Sequence, residues 1–386
     1  MAKVELQGQC DARFKRVREV FESGFASGAE LGAGLCIYRE GRVVVDLWGG
    51  FADEAQRRPW RRDTLANVYS TTKGITALCA HQLVERGELD LDAPVSRYWP
   101  EFSESGKAEL PVRYLLSHQA GLAGVSEPLA PRDLFDWRRM TRALEAQKPW
   151  WKPGTNHGYH ALTYGWLVGE VIRRVSGMSV GRYVREHVAA PLSAEFWIGL
   201  PEELDGRAAD LVQGPISTEG GPNLMEIAAA DPEGLVAKVF GNPPIFAVSP
   251  NSREWRAAEL PAANGHTTAH ALARIYGALG NGGELEGVRL IGRDAIEAAR
   301  VEQAYGQDLV LPLVTRMALG FMLGPANEPL GPNPRSFGHG GAGGSLGMAD
   351  PEAKLGFGYV MNRMHTGVWL VDPRPHALLD ALYSCL

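Results

Sequence analysis

The sequence has no C-x-x-C pair. Its four cysteines, Cys10, Cys36, Cys79 and Cys385, stand far apart, which gives neither a zinc-ribbon spacing nor a dithiol redox motif. Reduced thiols are the expectation. No apolar run approaches the ~18 residues that cross a bilayer, so no membrane partner is expected. The opening MAKVELQGQCDARFKRV turns polar at once, without the apolar stretch of a signal peptide, and a cytoplasmic location is expected. Net charge is −6 and the basic residues are scattered, so the electrostatic footprint of a nucleic-acid binder is missing. There is no internal repeat, no phosphate loop and no well-placed dinucleotide fingerprint.

What remains is the balance of a globular protein: 386 residues, 45% hydrophobic and 22% charged. Residues 11–27 carry Phe14, Val17, Val20, Phe21 and Phe25 close to one helical face. GAGLCIYREGRVVVDLWGGFAD then reads as a hairpin turning at Glu40-Gly41. STTKGITALCAHQLVERG is helical and closes at Gly87. From about 111 to 280 helices dominate, and strands return in MALGFML, SLGMAD and LGFGYVMN before a closing helix in HALLDALYSCL. Strands at both ends with helices between predict an α+β fold. One antiparallel sheet would be built from about 1–90 and 275–386, with a mainly helical lobe of about 91–274 inserted.

Two G-x-S-x-G stretches invite a nucleophile-elbow reading: GMSVG at Gly177–Gly181 and GGSLG at Gly343–Gly347. An elbow needs a buried parallel strand running into a helix. Ser179 lies between two helical patterns, where Gly177 suits a C-terminal stop and Ser179 an N-cap. Ser345 precedes a hairpin. Neither fits.

Ser70 fits better. In VYSTTKG, Ser70 and Lys73 form S-x-x-K at the start of a strong helical pattern, so i to i+3 spacing sets both on one face. A helix N-terminus favours an alkoxide at Ser70, and the Ser70 N–H can face a developing oxyanion. Lys73 can take or relay the proton once burial lowers its pKa. Further on, Tyr159 follows the turn Pro153-Gly154-Thr155 and offers a phenolic proton shuttle. In FGHGGAGGSLG, glycines beside an apolar strand permit close approach of backbone to a ligand. Each has a plainer alternative: a cap, a packing aromatic, a flexible loop.

Together these pieces resemble a family. Ser70-Thr71-Thr72-Lys73, GELDLDAPVSRYWPEF, LLSHQAGL, PGTxxxY and HGG occur in the order found in serine β-lactamases and penicillin-binding proteins, over roughly residues 20 to 385. Within the class C β-lactamase-like branch the chain is most similar to family VIII carboxylesterases. The resemblance implies a β-lactamase/transpeptidase-like fold, an antiparallel sheet flanked by helices plus a helical lobe. It also implies a cofactor-free serine hydrolase acting on a small ester, preferably of a short-chain acid. Ser70 would be the acylated nucleophile, with Lys73 and Tyr159 its proton-transfer partners in an order left open. The N–H groups of Ser70 and Ala342 would form the oxyanion hole, and His339, Gly340 and Gly341 would bind substrate. The chain departs from the β-lactamase pattern twice. Tyr-x-Asn is Tyr159-His160-Ala161, and the lysine of K-T-G is His339. Both changes favour a neutral ester over a carboxylate-bearing β-lactam or D-amino-acid peptide. Acyl transfer to an alcohol and a catalytically silent, ligand-binding member are the remaining alternatives.

Trp137, Trp150, Trp151, Trp166 and Trp255 are candidates for an apolar substrate pocket or for core packing. No metal site is expected. His266 and His270 have i, i+4 spacing without the glutamate of H-E-x-x-H, and Thr267 or Thr268 suits a helix cap there. His157 and His160 lack a third ligand nearby. Asp90 and Asp92 read as a polar turn.

Overall fold

A computed structural model describes residues 4–214, 223–326 and 330–386. Its centre is a nine-stranded sheet, antiparallel throughout. The strands are β1 (Gln7–Cys10), β2 (Gly32–Arg39), β3 (Arg42–Gly50), β4 (Ala304–Gln307), β5 (Val314–Met317), β6 (Met322–Leu323), β7 (Phe337–Gly340), β8 (Leu346–Asp350) and β9 (Leu355–Met361). Their order is β1-β3-β2-β9-β8-β7-β6-β5-β4. The expected joining of the two chain ends is therefore one pairing, β2 on β9, with Phe357 opposite Ile37.

The framing helices are α1 (Lys15–Ala26), α2 (Thr72–Glu85), α3 (Thr163–Ser176), α4 (Ala269–Gly280) and α5 (Pro373–Tyr383). Strand alternation divides the sheet between two cores. Leu35, Ile37, Phe357, Tyr359 and Met361 face Phe14, Val17, Phe21 and Leu382, contributed by the α1 and α5 side. Cys36, Tyr38 and Val360 face Leu272, Tyr276 and α2. The alternate residues of LGFGY explain how closely α4 lies. A β-carbon on Gly356 would meet the backbone of Gly277 at 2.1 Å, and one on Gly358 would meet Ala269 O at 2.5 Å. These glycines let a helix sit on the sheet without a side-chain layer between.

The Glu40-Gly41 hairpin has left-handed φ values at both turn residues, 50° and 77°, the two-residue turn whose twist suits paired strands. MALGFML is not one strand. Met317 pairs with Met322 across a reversal in which Gly320 takes φ 86°. Strands β1 and β4 carry too little apolar alternation to stand out in the sequence. No helix among the described residues is long and apolar enough to cross a membrane.

Candidate active site

Three local signals set Ser70 in place. Tyr69 has φ 41°, a left-handed conformation costly for an aromatic residue and frequent where strain serves a site. Tight turns follow, with Thr71 N–H on Val68 O at 3.1 Å and Thr72 N–H on Tyr69 O at 3.0 Å. Helix α2 then runs from Thr72 with every residue buried as far as Leu83. Ser70 thus lies two residues ahead of the helix, half-buried, on a turn and not within the first helical turn.

Lys73 is fully buried. Its Nζ lies 3.0 Å from Ser70 Oγ, 2.8 Å from Ala161 O and 3.0 Å from Ala262 O, and 4.7 Å from the centre of the Tyr159 ring. Among the described residues, no carboxylate bonds to it. Keeping an unpaired ammonium there costs several kcal/mol, and burial holds its pKa well below the usual lysine range. A neutral amine has two N–H groups and one lone pair. The two carbonyls accept the N–H groups, which leaves the lone pair for Ser70 Oγ. Tyr159 is buried among Ala123, Val239, Val310 and Leu370. Burial pushes its phenol above the usual range, against a hydrogen bond with Ser70 that pulls it down.

The glycine-rich segment reaches the same place. A β-carbon on Gly341 would meet Val68 O at 2.2 Å and Thr71 Oγ1 at 3.0 Å, so its backbone lies directly on the Ser70 turn. Gly341 N–H bonds Ser345 O at 2.8 Å and Gly344 N–H bonds Gly341 O at 3.0 Å, which folds Ala342 into a tight loop. Among the described residues, no acceptor takes the N–H of Ser70 or of Ala342. His339 comes off β7 with its ring centre 6.2 Å from that of Tyr159. Its Nδ1 bonds Gly340 O at 2.7 Å, while Nε2 is buried without a partner among the described residues. Burial, then the nearby Lys73, lowers its pKa to about 3, so the imidazole is neutral at pH 7. Gly340 packs beneath, where a β-carbon would meet Leu370 O at 2.8 Å.

Ser70, Lys73, Tyr159, His339, Gly340, Gly341 and Ala342 thus converge. The two elbow serines have other places. Ser179 caps a helix, accepting Arg182 N–H at 3.3 Å and donating to Glu259 at 2.6 Å. Gly177 ends α3 with φ 72°. Ser345 is buried and donates to Val68 O at 2.8 Å, pinning the glycine segment to the Ser70 turn. Sequence reasoning missed that role, as it missed Asp308, whose Oδ1 accepts Tyr159 N–H at 3.0 Å. The carbonyls of Ala161 and Ala262 carry no side-chain signal at all.

The tryptophans divide. Trp166 and Trp255 are core, and Trp137 donates to Glu170 at 2.7 Å. Trp150 and Trp151, with Phe240, pack on the cluster that holds Tyr159. His266 is buried and bonded to Asn264 O at 2.8 Å, apart from His270, and Thr268 caps α4. His270 instead stands with Cys36 and Asp46, among the described residues a group close enough to hold a metal. Arg62 already lies within 2.8 Å of Asp46 and 3.0 Å of His270 Nδ1, supplying the positive charge itself. His157 meets Thr315 at 2.9 Å. Asp90 Oδ1 accepts Asp92 N–H at 2.9 Å, closing the polar turn.

The sheet and helices form a β-lactamase/transpeptidase-like fold. The β-lactamase family model matches residues 17–381, and the chain belongs to that family. It is 37% identical to the esterase/β-lactamase LipL of Mycobacterium tuberculosis over 98% of this chain and 87% of that one. The crystal structure of a family VIII carboxylesterase is 43% identical, with TM-score 0.90 over 99% of this chain and 100% of the other. A penicillin-binding protein homolog from Caulobacter crescentus is 42% identical, with TM-score 0.89 over 99% and 100%.

Proposed function

We propose that the chain is a serine carboxylesterase that cleaves short-chain esters through an acyl-enzyme on Ser70. The observation that carries this is the placement of Lys73 Nζ, 2.8 and 3.0 Å from two carbonyls and 3.0 Å from Ser70 Oγ: a neutral amine there gives its two N–H groups to the carbonyls and turns its lone pair to the Ser70 hydroxyl. As Oγ attacks the ester carbonyl, its proton passes to the neutral Lys73 amine. The N–H groups of Ser70 and Ala342 hold the oxyanion. When the C–O bond to the alcohol breaks, Tyr159 gives its proton to the departing alkoxide and regains one from the Lys73 ammonium. Water then attacks the acyl carbon, its proton returns through the same pair to Ser70 Oγ, and the acid leaves. Lys73 is the first acceptor in this reading, because burial lowers its pKa while raising that of Tyr159.

Neutral esters suit the site better than β-lactams, although the name of LipL includes both activities. His339 is uncharged where a cation would meet a carboxylate. Ala161 offers only its carbonyl, and Lys73 occupies that. Trp150, Trp151 and Phe240 supply an apolar wall beside Tyr159. We place this site in a cleft between a sheet lobe (about 1–90 with 275–386) and a helical lobe (about 91–274), in a cytoplasmic protein with free thiols. The test is turnover of a p-nitrophenyl short-chain ester together with fluorophosphonate labelling. Ser70→Ala should abolish both and Ser179→Ala neither. Normal turnover by Ser70→Ala would overturn the reading.

A further inference from the structure

We propose that His118 is a positioning residue that sets the orientation of Tyr159, and so controls proton donation to the leaving alcohol. This rests on the role given to Tyr159 above.

His118 follows the short helix Val112–Leu116 and has φ 61°, a left-handed conformation that histidine adopts more readily than most residues but still uncommonly. That conformation aims two acceptors of one residue at one strand of chain. The His118 carbonyl accepts Gly158 N–H at 3.1 Å, and its Nδ1 accepts His160 N–H at 3.0 Å. Gly158 and His160 flank Tyr159 on either side. Between these two bonds the His118 ring lies 4.9 Å from the Tyr159 ring, centre to centre, and 5.4 Å from that of Tyr164. The Tyr159 N–H goes to Asp308. Three successive amides are therefore fixed, two of them by His118.

The surroundings hold His118 in the form that can do this. Nδ1 can accept only if it carries no proton, and the ring is buried, with Lys73, His157, His160 and His339 all placed to disfavour a charge. His160 is fixed in turn, its Nδ1 on Gly158 O at 2.7 Å and its Nε2 accepting Leu122 N–H at 3.1 Å. A strained residue bonded through both its carbonyl and its Nδ1 on either side of a reactive side chain points to orientation as its purpose. His118 touches neither Ser70 nor a reacting atom in this account.

The leaving alcohol supplies the readout. A p-nitrophenolate departs without help, whereas an alkoxide needs a proton, so loss of a positioned acid penalises alkyl esters selectively. The experiment compares kcat/KM for p-nitrophenyl butyrate and ethyl butyrate in wild type, Tyr159→Phe, His118→Asn and His118→Phe, with Tm recorded for each. Asparagine tolerates the left-handed backbone and presents Oδ1 near the place of Nδ1; phenylalanine keeps the ring and removes the acceptor. Tyr159→Phe and His118→Phe should both lower the ethyl-to-nitrophenyl ratio by about tenfold or more, while His118→Asn keeps it near wild type. If His118→Phe does not fold, His118→Gln, whose amide ends at the Nε2 position, carries the same expectation. A wild-type ratio in His118→Phe or His118→Gln, beside a lowered ratio in Tyr159→Phe, overturns the inference alone. An unchanged ratio in Tyr159→Phe overturns the reading of Tyr159, and the inference with it.

Discussion

The backbone of Gly341 rests on the carbonyl of Val68: a β-carbon at Gly341 would stand 2.2 Å from that oxygen and 2.3 Å from Ser345 Oγ. Two segments far apart in sequence, one ending in Ala342 and one in Ser70, are brought together by the absence of one side chain. Gly341→Ala must push them apart. Its kcat should fall about 100-fold, the scale of losing one oxyanion donor, with KM changed much less. Steady-state kinetics on a p-nitrophenyl ester checks this; near-normal kcat would remove Ala342 from the oxyanion hole.

Activity requires Lys73 without its proton. Its pKa is held well below that of an ordinary lysine, so kcat/KM should rise with pH and level off far below the usual ~10.4. Tyr159 is pushed upward, so no alkaline fall should appear before the ordinary phenol range. Lys73→Arg, which stays charged, should lose about 1,000-fold or more. A full pH profile decides between this and a profile rising only above pH 10.

The neutral His339 predicts a strong preference for simple esters over nitrocefin. His339→Lys should shift the nitrocefin-to-ester ratio upward by about tenfold, as a charge-assisted contact to the β-lactam carboxylate would. Rates for both substrates on one preparation give the ratio. If it stays flat, His339 does not face the bound substrate.

The two elbow serines should part company. Ser179→Ala removes a helix cap and should cost about 1 kcal/mol of stability with turnover intact. Ser345→Ala removes one of the two bonds to the Val68 carbonyl and loosens the glycine segment, so it should lower kcat. Calorimetry and kinetics on both variants check the contrast.

Patterns with a local cause were legible. The i to i+3 spacing of Ser70 and Lys73, the Glu40-Gly41 turn and the Gly177 stop each depend on a few neighbouring residues; the structure has the turn and the stop as read and brings the two side chains together, although Ser70 stands on a turn two residues ahead of α2. The split of MALGFML at Gly320 was not, because an apolar run hides a turn when both arms are buried. Within the site, side chains could be named in advance but backbone partners could not. Ala161 and Ala262 have no chemistry to mark them, and His118 sat within a quoted motif without a distinguishing signal until its φ and its bonds were known.

The carbonyls that hold Lys73 come from before α3 and from before α4, while the residue itself belongs to α2. A reactive Ser70 therefore exists only once those separate stretches of chain have met. Stoichiometric labelling of that serine thus counts finished molecules, and its time course during refolding would report the last docking event, not the first collapse.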